Sequence, residues 1–239
     1  MARLLAEATR QDPHKLDIRR LRFPIDVILV CIRWYAAYPL SYRHLEEIME
    51  ERGVCVDHSS INRWAIRFLP FLEKVFRRHK RPVGGSWRMD ETYIKVKGVW
   101  RYLYRAVDKE GETVDFLLTA KRDKAAAKRL FGKALRDSDV SEKVTMDKSG
   151  ANKGAIVEID ASKNIPIVVR QVKYLNNIAE QDHRAITRVT KPMLSFQSFR
   201  SARNVLAGIE LMHMIRKGQL MIEDGYQMSV AEQFYALAG

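Results

Sequence analysis

Two cysteines in 239 residues, Cys31 and Cys55, are too few for a disulfide framework and show no zinc-ligand spacing. A reducing compartment is therefore expected. Long apolar runs are missing as well. The most apolar stretch, FPIDVILVCIRWYAAYPL, carries Asp26 and Arg33 and stops short of the roughly 20 residues that a membrane-spanning helix requires, so it reads as a buried helix. The N-terminal MARLLAEATRQDPHK contains no apolar run long enough for a signal peptide, and a cytoplasmic protein is expected. Internal repeats and low-complexity segments are absent too.

Acid is scarce relative to base. Against 42 Lys+Arg stand 29 Asp+Glu, giving a formal charge of +13 and a pI near 9.8. An excess of that size favours a polyanionic partner, nucleic acid ahead of an anionic membrane surface. It is spread along the chain, with a net +6 over residues 1–82, +4 over 83–164 and +3 over 165–239. The hydrophobic fraction of 46% is enough to build a core in one large domain or two small ones.

Residues 1–82 read as a helical region that ends in the basic, Pro/Gly-containing boundary RRHKRPVGGS. After Pro24, Ile28, Cys31 and Ile32 share one helical stripe. Leu45, Ile48 and Met49 form another, ended by Gly53. In DHSSINRWAIRFL, Asp57 caps a helix whose Ile61, Trp64, Ala65 and Phe68 make an i, i+3, i+4, i+7 face. Two amphipathic helices around a tight turn are a helix-turn-helix pattern, placed here at about 40–70, in which the second helix enters the major groove. Ser59, Ser60, Asn62, Arg63 and Arg67 lie off the apolar face and are the expected DNA contacts; a plain helical hairpin is the alternative.

From residue 87 the period changes to two. WRMDETYIKVKG, VWRYLYRAVD and TVDFLLTA, separated by turns with Gly98 and Gly111, predict an antiparallel three-stranded meander. A helix (RDKAAAKRLFGKALRDS), a strand (VTMDKS), a strand (IPIVVRQV) and a helix (NNIAEQDHRAITRV) follow. The element order is that of a ribonuclease-H-like α/β domain over 83–197: three antiparallel strands plus two parallel ones, flanked by helices. Residues 198–239 read as a C-terminal amphipathic helix, with Val205, Leu206, Ile209 and Met212 on one face, and a tail.

Strand parity separates two adjacent acids. Asp90 shares a face with Thr92, Ile94 and Val96, where a carboxylate is costly unless it is paired or coordinates a cation. Glu91 falls with Tyr93, Lys95 and Lys97, needs no special role there and reads as a neighbour paired with a lysine. Asp147 ends the strand VTMD. Glu180 lies on a helix face with His183, Arg184 and Thr187, opposite Ile178, Ala185 and Val189. Three carboxylates in these elements suit phosphodiester chemistry, because two Mg²⁺ ions about 4 Å apart, held by carboxylate oxygens, stabilise both the attacking and the leaving oxygen. Trp87, Trp100 and Tyr102 read as core residues rather than base-stacking platforms.

The segments WRMDETYIKVKGVWRYLYRAVDKEGETVDFLL, TMDKSGAN and RQVKYLNNIAEQDHRAITRVTKPMLSFQSFRSA, with LSYRHLEEIMEERGVCVDHSSINRW before them, resemble the DDE transposases of the insertion-sequence-six family, small enzymes of bacterial mobile elements. The resemblance runs through RKGQL. It implies a helix-turn-helix region ahead of a ribonuclease-H-like catalytic domain, with Asp90, Asp147 and Glu180 as catalytic and metal-binding triad. It implies Mg²⁺, with Mn²⁺ able to substitute, and strand transfer of transposon-end 3′-OH groups into target DNA, giving cointegrates. The partners implied are double-stranded DNA, as terminal inverted repeats and as target, with no membrane. Pairing two ends implies a homodimer or larger assembly in the bacterial cytoplasm, at the nucleoid. Lys148 and Asn152 are expected to contact the DNA end, with loop solvation as the alternative; His183 either touches DNA or assists proton transfer, or is a satisfied structural histidine. Where similar enzymes carry Lys or Arg seven residues after the catalytic Glu, this chain has Thr187. That departure either hands the phosphate contact to Arg184 or Arg188 or lowers activity. A non-catalytic DNA-binding regulator derived from a transposase is the alternative in another class, and a nuclease that cuts without joining is a third.

Overall fold

The computed structural model describes residues 22–137, 143–146, 167–171, 177–222 and 227–238. The chain divides into two compact units, one of residues 1–80, 191–193 and 200–239, the other of residues 81–190 and 194–199.

Helices build the first unit. Helix α1 (Ile25–Ala37) follows Pro24, whose fixed φ suits a helix entry. Helix α2 (Tyr42–Glu50) starts on a capping box in which Ser41 Oγ accepts from the His44 N–H while the His44 ring accepts from the Ser41 N–H. It ends at Gly53, whose φ of +73° is the left-handed conformation that glycine adopts without strain. Asp57 caps α3 (His58–Arg78) by accepting from the Ser59 N–H at 2.8 Å. Ile28, Cys31, Ile32, Leu45, Met49, Ile61, Ala65 and Phe68 are buried together, as the periodicity predicts. Burial pushes the Cys31 thiol up to about 11, so it stays an inert core thiol.

Helix α3 is longer than the sequence pattern suggests, because it passes through Pro70 without ending. Proline has no N–H to offer the carbonyl four residues earlier, that of Ile66. The buried Asn204 amide fills the gap, donating from Nδ2 to Ile66 O at 3.0 Å. Asn204 lies on α6 (Phe199–Arg216), a helix enclosed nearly all round: besides the expected Val205, Leu206, Ile209 and Met212, it buries Ala202, Ala207, Gly208, Leu211, Met214 and Ile215. Gly208 packs tightly against α3, since a Cβ there would sit 2.6 Å from the Leu69 methyls. A last short helix, α7 (Val230–Ala236), has a capping box between Ser229 and Glu232. The S-x-x-E signature for it is present in the sequence within the segment that reads as a tail.

The second unit is a five-stranded sheet of order β3-β2-β1-β4-β5. Strands β1 (Ser86–Val96), β2 (Val99–Asp108) and β3 (Thr113–Thr119) form the antiparallel meander, and β4 (Lys143–Met146) and β5 (Val168–Gln171) add parallel to β1 and to each other. This is the ribonuclease-H-like arrangement the element order predicts. Helix α4 (Lys124–Asp137) covers one face through Ala126, Leu130, Phe131 and Ala134, which share a core with Trp87, Met89, Tyr104, Ala106, Val144 and Met146. Helix α5 (Asn177–Thr190) packs on β1 and β2 through Ala179, His183, Ile186 and Val189. The Asp108 carboxylate organises the β2–β3 turn, accepting from the N–H groups of Gly84, Glu110 and Glu112 at 2.8–3.0 Å.

Two substitutions test the α3–α6 contact in urea unfolding. Asn204→Ala strands the Ile66 carbonyl and is expected to cost about 1–3 kcal/mol; adding Pro70→Ala, which returns an N–H to that carbonyl, should recover part of the loss. Gly208→Ala, favourable in an ordinary helix, should instead destabilise by about 1–3 kcal/mol through overpacking against Leu69.

Candidate active site

Asp90 sits in the middle of β1 with Arg105 as its cross-strand partner, so the two side chains point to the face on which α5 packs. It is half-buried. Arg105 is buried and reaches up to α5, where its Nη1 lies 2.6 Å from Asp182 Oδ2; the two side chains are 0% and 7% exposed. A buried ion pair of this kind holds the helix against the sheet at one angular setting. The next residue, His183, is thereby turned inward, its Nδ1 3.7 Å from Asp90 Oδ2. Burial, and then the Arg105 guanidinium, push its pKa down to about 3 against the smaller opposing pull of Asp182. The ring is neutral near pH 7, so its approach to Asp90 is not an ion pair, and 3.7 Å is too long for a hydrogen bond.

Glu180 lies in the first turn of α5, one turn before His183, and is exposed. Strand β4 pairs parallel with β1 from Ser86↔Lys143 to Arg88↔Thr145, advancing along β1 toward Asp90, and its last residue is Met146. Asp147 comes next in the sequence and lies outside the described residues, as do Lys148 and Asn152.

Two expectations change, one on each face of the sheet. His183 is buried rather than available to DNA, because the α5 side facing the sheet is Ala179, His183, Ile186 and Val189, not Ile178, Ala185 and Val189. Arg184, Thr187 and Arg188 are exposed on the same helix. Glu91 is paired with Arg122, just ahead of α4, rather than with a lysine, and its side chain is 5% exposed. Parity assigned it to the correct face, on which Trp87 and Met89 share a core with α4 while Tyr93 and Lys95 are exposed. Cross-strand from Glu91, the Tyr104 hydroxyl is pushed up to about 12 by burial and by the Glu91 charge.

In the helical unit, Ser59, Arg63 and Arg67 of α3 are exposed, and Ser60 and Asn62 are half-exposed. The Ser59 hydroxyl donates to Asp57, and Ser60 Oγ accepts from Arg63 Nη2 at 2.9 Å. His58, whose role the sequence does not signal, braces the two helices, with Nδ1 2.9 Å from Glu46 Oε2 on α2.

Comparison with known proteins agrees with this architecture. A family model described as a DDE domain matches residues 84–219. The transposase for insertion sequence-like element IS431mec of Staphylococcus aureus strain N315 is 40% identical over 200 residues, covering 83% of this chain and 88% of the relative. The transposase for insertion sequence element IS257 in transposon Tn4003, also from Staphylococcus aureus, matches with the same identity and coverage. Among solved structures, the HTLV-2 integrase catalytic core domain in complex with magnesium, in its dimeric form, has a TM-score of 0.44 at 15% identity, covering 66% of this chain and 99% of the other. The BIV integrase catalytic core gives 0.41 at 12% identity, covering 63% and 93%. The sheet has the ribonuclease-H-like strand order, and the chain belongs to the DDE transposases of the insertion-sequence-six family. No helix among the described residues is long and apolar enough to cross a membrane.

The Arg105–Asp182 pair is open to direct test. Asp182→Ala leaves a buried guanidinium without that carboxylate and should cost about 3–5 kcal/mol in urea unfolding, whereas the double change Arg105→Met, Asp182→Leu should cost much less.

Proposed function

We propose that Asp90, Asp147 and Glu180 form the catalytic triad of this transposase and hold two Mg²⁺ ions, for which Mn²⁺ can substitute. The observation that carries the reading is the convergence of elements. Asp90 faces α5, Glu180 opens α5, and β4, which runs parallel to β1 toward Asp90, stops one residue before Asp147. The donor set fits the group: carboxylate oxygens on a half-buried strand and an exposed helix turn are the hard ligands such cations take. When bound, two such ions supply Lewis acidity at the phosphoryl group and stabilise the entering and departing oxygens.

The chain's own residues do the rest. The reaction is transfer of a transposon 3′-OH to a target phosphodiester: a new P–O bond forms, the target P–O3′ bond breaks, and the departing 3′ oxygen ends as a hydroxyl. Arg184 and Arg188, exposed on the helix that carries Glu180, bind phosphates near the scissile bond in place of the basic residue that Thr187 lacks. Lys148 and Asn152 contact the DNA end. Helix α3 reads the terminal inverted repeat through Ser59, Ser60, Asn62, Arg63 and Arg67, with the α2–α3 pair acting as the helix-turn-helix. Joining two ends to one target requires a dimer or larger homo-oligomer, and cointegrates are the expected product, made at the bacterial nucleoid.

Strand transfer on terminal-repeat DNA with Mg²⁺ tests the triad. Asp90→Asn, Asp147→Asn and Glu180→Gln should each lower the rate by at least about a hundredfold while the protein still binds the ends. If wild type is as inert as the three variants yet binds ends equally well, the protein is a regulator; if products are cut but never joined, it is a nuclease. End binding should also weaken steeply with salt, by about a thousandfold or more between about 50 and 200 mM if six or more phosphates are neutralised.

A further inference from the structure

The tip of the β1–β2 hairpin exposes side chains that the strand-transfer site does not use. Tyr93 and Trp100 are 54% and 58% exposed, although both are large aromatic residues on an otherwise well-covered sheet. They form one cluster with Tyr102. Tyr93 pairs across the strands with Tyr102, their ring centroids 5.5 Å apart, and meets the Trp100 ring edge to face at 6.4 Å. Lys95, cross-strand from Trp100, places its Nζ 5.8 Å from the indole centroid. The run from Tyr93 to Tyr102, YIKVKGVWRY, contains three cations, Lys95, Lys97 and Arg101, and no acid.

The position of this patch is set by the sheet. Tyr93, Lys95, Trp100 and Tyr102 continue the face on which Glu91 and Tyr104 lie; Tyr102 packs against the edge of the core that α4 shares, and Tyr93 and Trp100 stand beyond it, exposed. Asp90, one residue from Glu91, points the opposite way, toward α5. Whatever binds the hairpin is therefore a different stretch of ligand from the one at the carboxylates. The Tyr93 and Trp100 rings are not core, since more than half of each is exposed. They also lie among cations, where a purely apolar partner surface would be poorly matched.

We infer that the hairpin tip, through Trp100 and Tyr93 with Lys95 and Lys97 beside them, is a second DNA-contact site that takes unpaired bases. Aromatic faces stack on bases of any sequence, and flanking lysines track the phosphates of the same strand. A fully paired duplex hides its base faces except at its ends, so the site distinguishes an open or frayed strand from closed duplex. The inference rests on the reading of the chain as a DNA-handling transposase and adds a ligand class and a location to it.

Anisotropy titrations of the full chain with a labelled oligothymidylate strand and with a mixed-sequence duplex test it. Trp100→Ala and Tyr93→Ala should each weaken strand binding by about 5- to 150-fold, the range of one lost stacking contact. Duplex affinity should change less than twofold, and Trp100→Phe should restore most of the strand affinity. Two exposed positions are tested separately, so a folding defect in one leaves the other informative. Equal loss on both DNAs, or no loss on either, overturns the inference while the transposase reading stands. A change in sedimentation with DNA affinity untouched also overturns it, making the patch an interface between copies. Wild type that binds neither DNA removes both readings together.

Discussion

A guanidinium with no exposed surface needs a carboxylate, and the sheet face that bears Asp90 depends on where that carboxylate sits. Arg105 lies on β2 across from Asp90, and Asp182 on α5 supplies the partner at 2.6 Å. The pair fixes both the distance of α5 from the sheet and its rotation about its own axis. With Asp182 engaged, His183 can only turn toward Asp90, and Glu180, one turn earlier, can only stand at the solvent side of the same face. The basic residues Arg184 and Arg188 then fall on the exposed surface. One buried pair thus arranges an acid, a neutral ring and two surface cations along a single helix.

The helical unit rests on a different kind of constraint, that of a backbone carbonyl deprived of its normal donor. Pro70 lets α3 continue but removes an N–H, and a side-chain amide from a distant part of the chain supplies the missing hydrogen bond. Gly208 lets the two helices approach closely enough for this to happen. These features are complementary: a larger residue at 208 would hold α6 away from α3 and lengthen the Asn204 contact.

Much of the sheet was legible in the sequence because period-two patterning and glycine turns are local signals; Gly98 and Gly111 do adopt φ of +76° and +87°. The side of β1 on which Asp90 lies was legible for the same reason. What alternation cannot report is how far a covering helix extends. Glu91 reads as a neighbour of lysines and is held by Arg122, while Trp100 reads as core and is exposed. His183 falls with Glu180 by its i, i+3 spacing, which leaves a DNA contact and a structural histidine both open. Its burial follows from the Asp182 ion pair, which links residues far apart in sequence. The passage of α3 through Pro70 was hidden likewise, since the compensating Asn204 lies 138 residues away.

The helical unit is assembled from two stretches of chain, residues 1–80 and 200–239, with the sheet unit encoded between them. During synthesis the sheet can be complete while α1, α2 and α3 still await α6. A chain that stops early, from a nonsense codon or a broken message, keeps the strand bearing Asp90 but leaves α3 with an unsatisfied carbonyl and an uncovered apolar side. Such a fragment lacks the α6 side chains that complete the packing of α3. Order of synthesis and order of folding therefore differ: the sheet unit, encoded in the middle, can close before the helical unit whose two parts flank it in sequence.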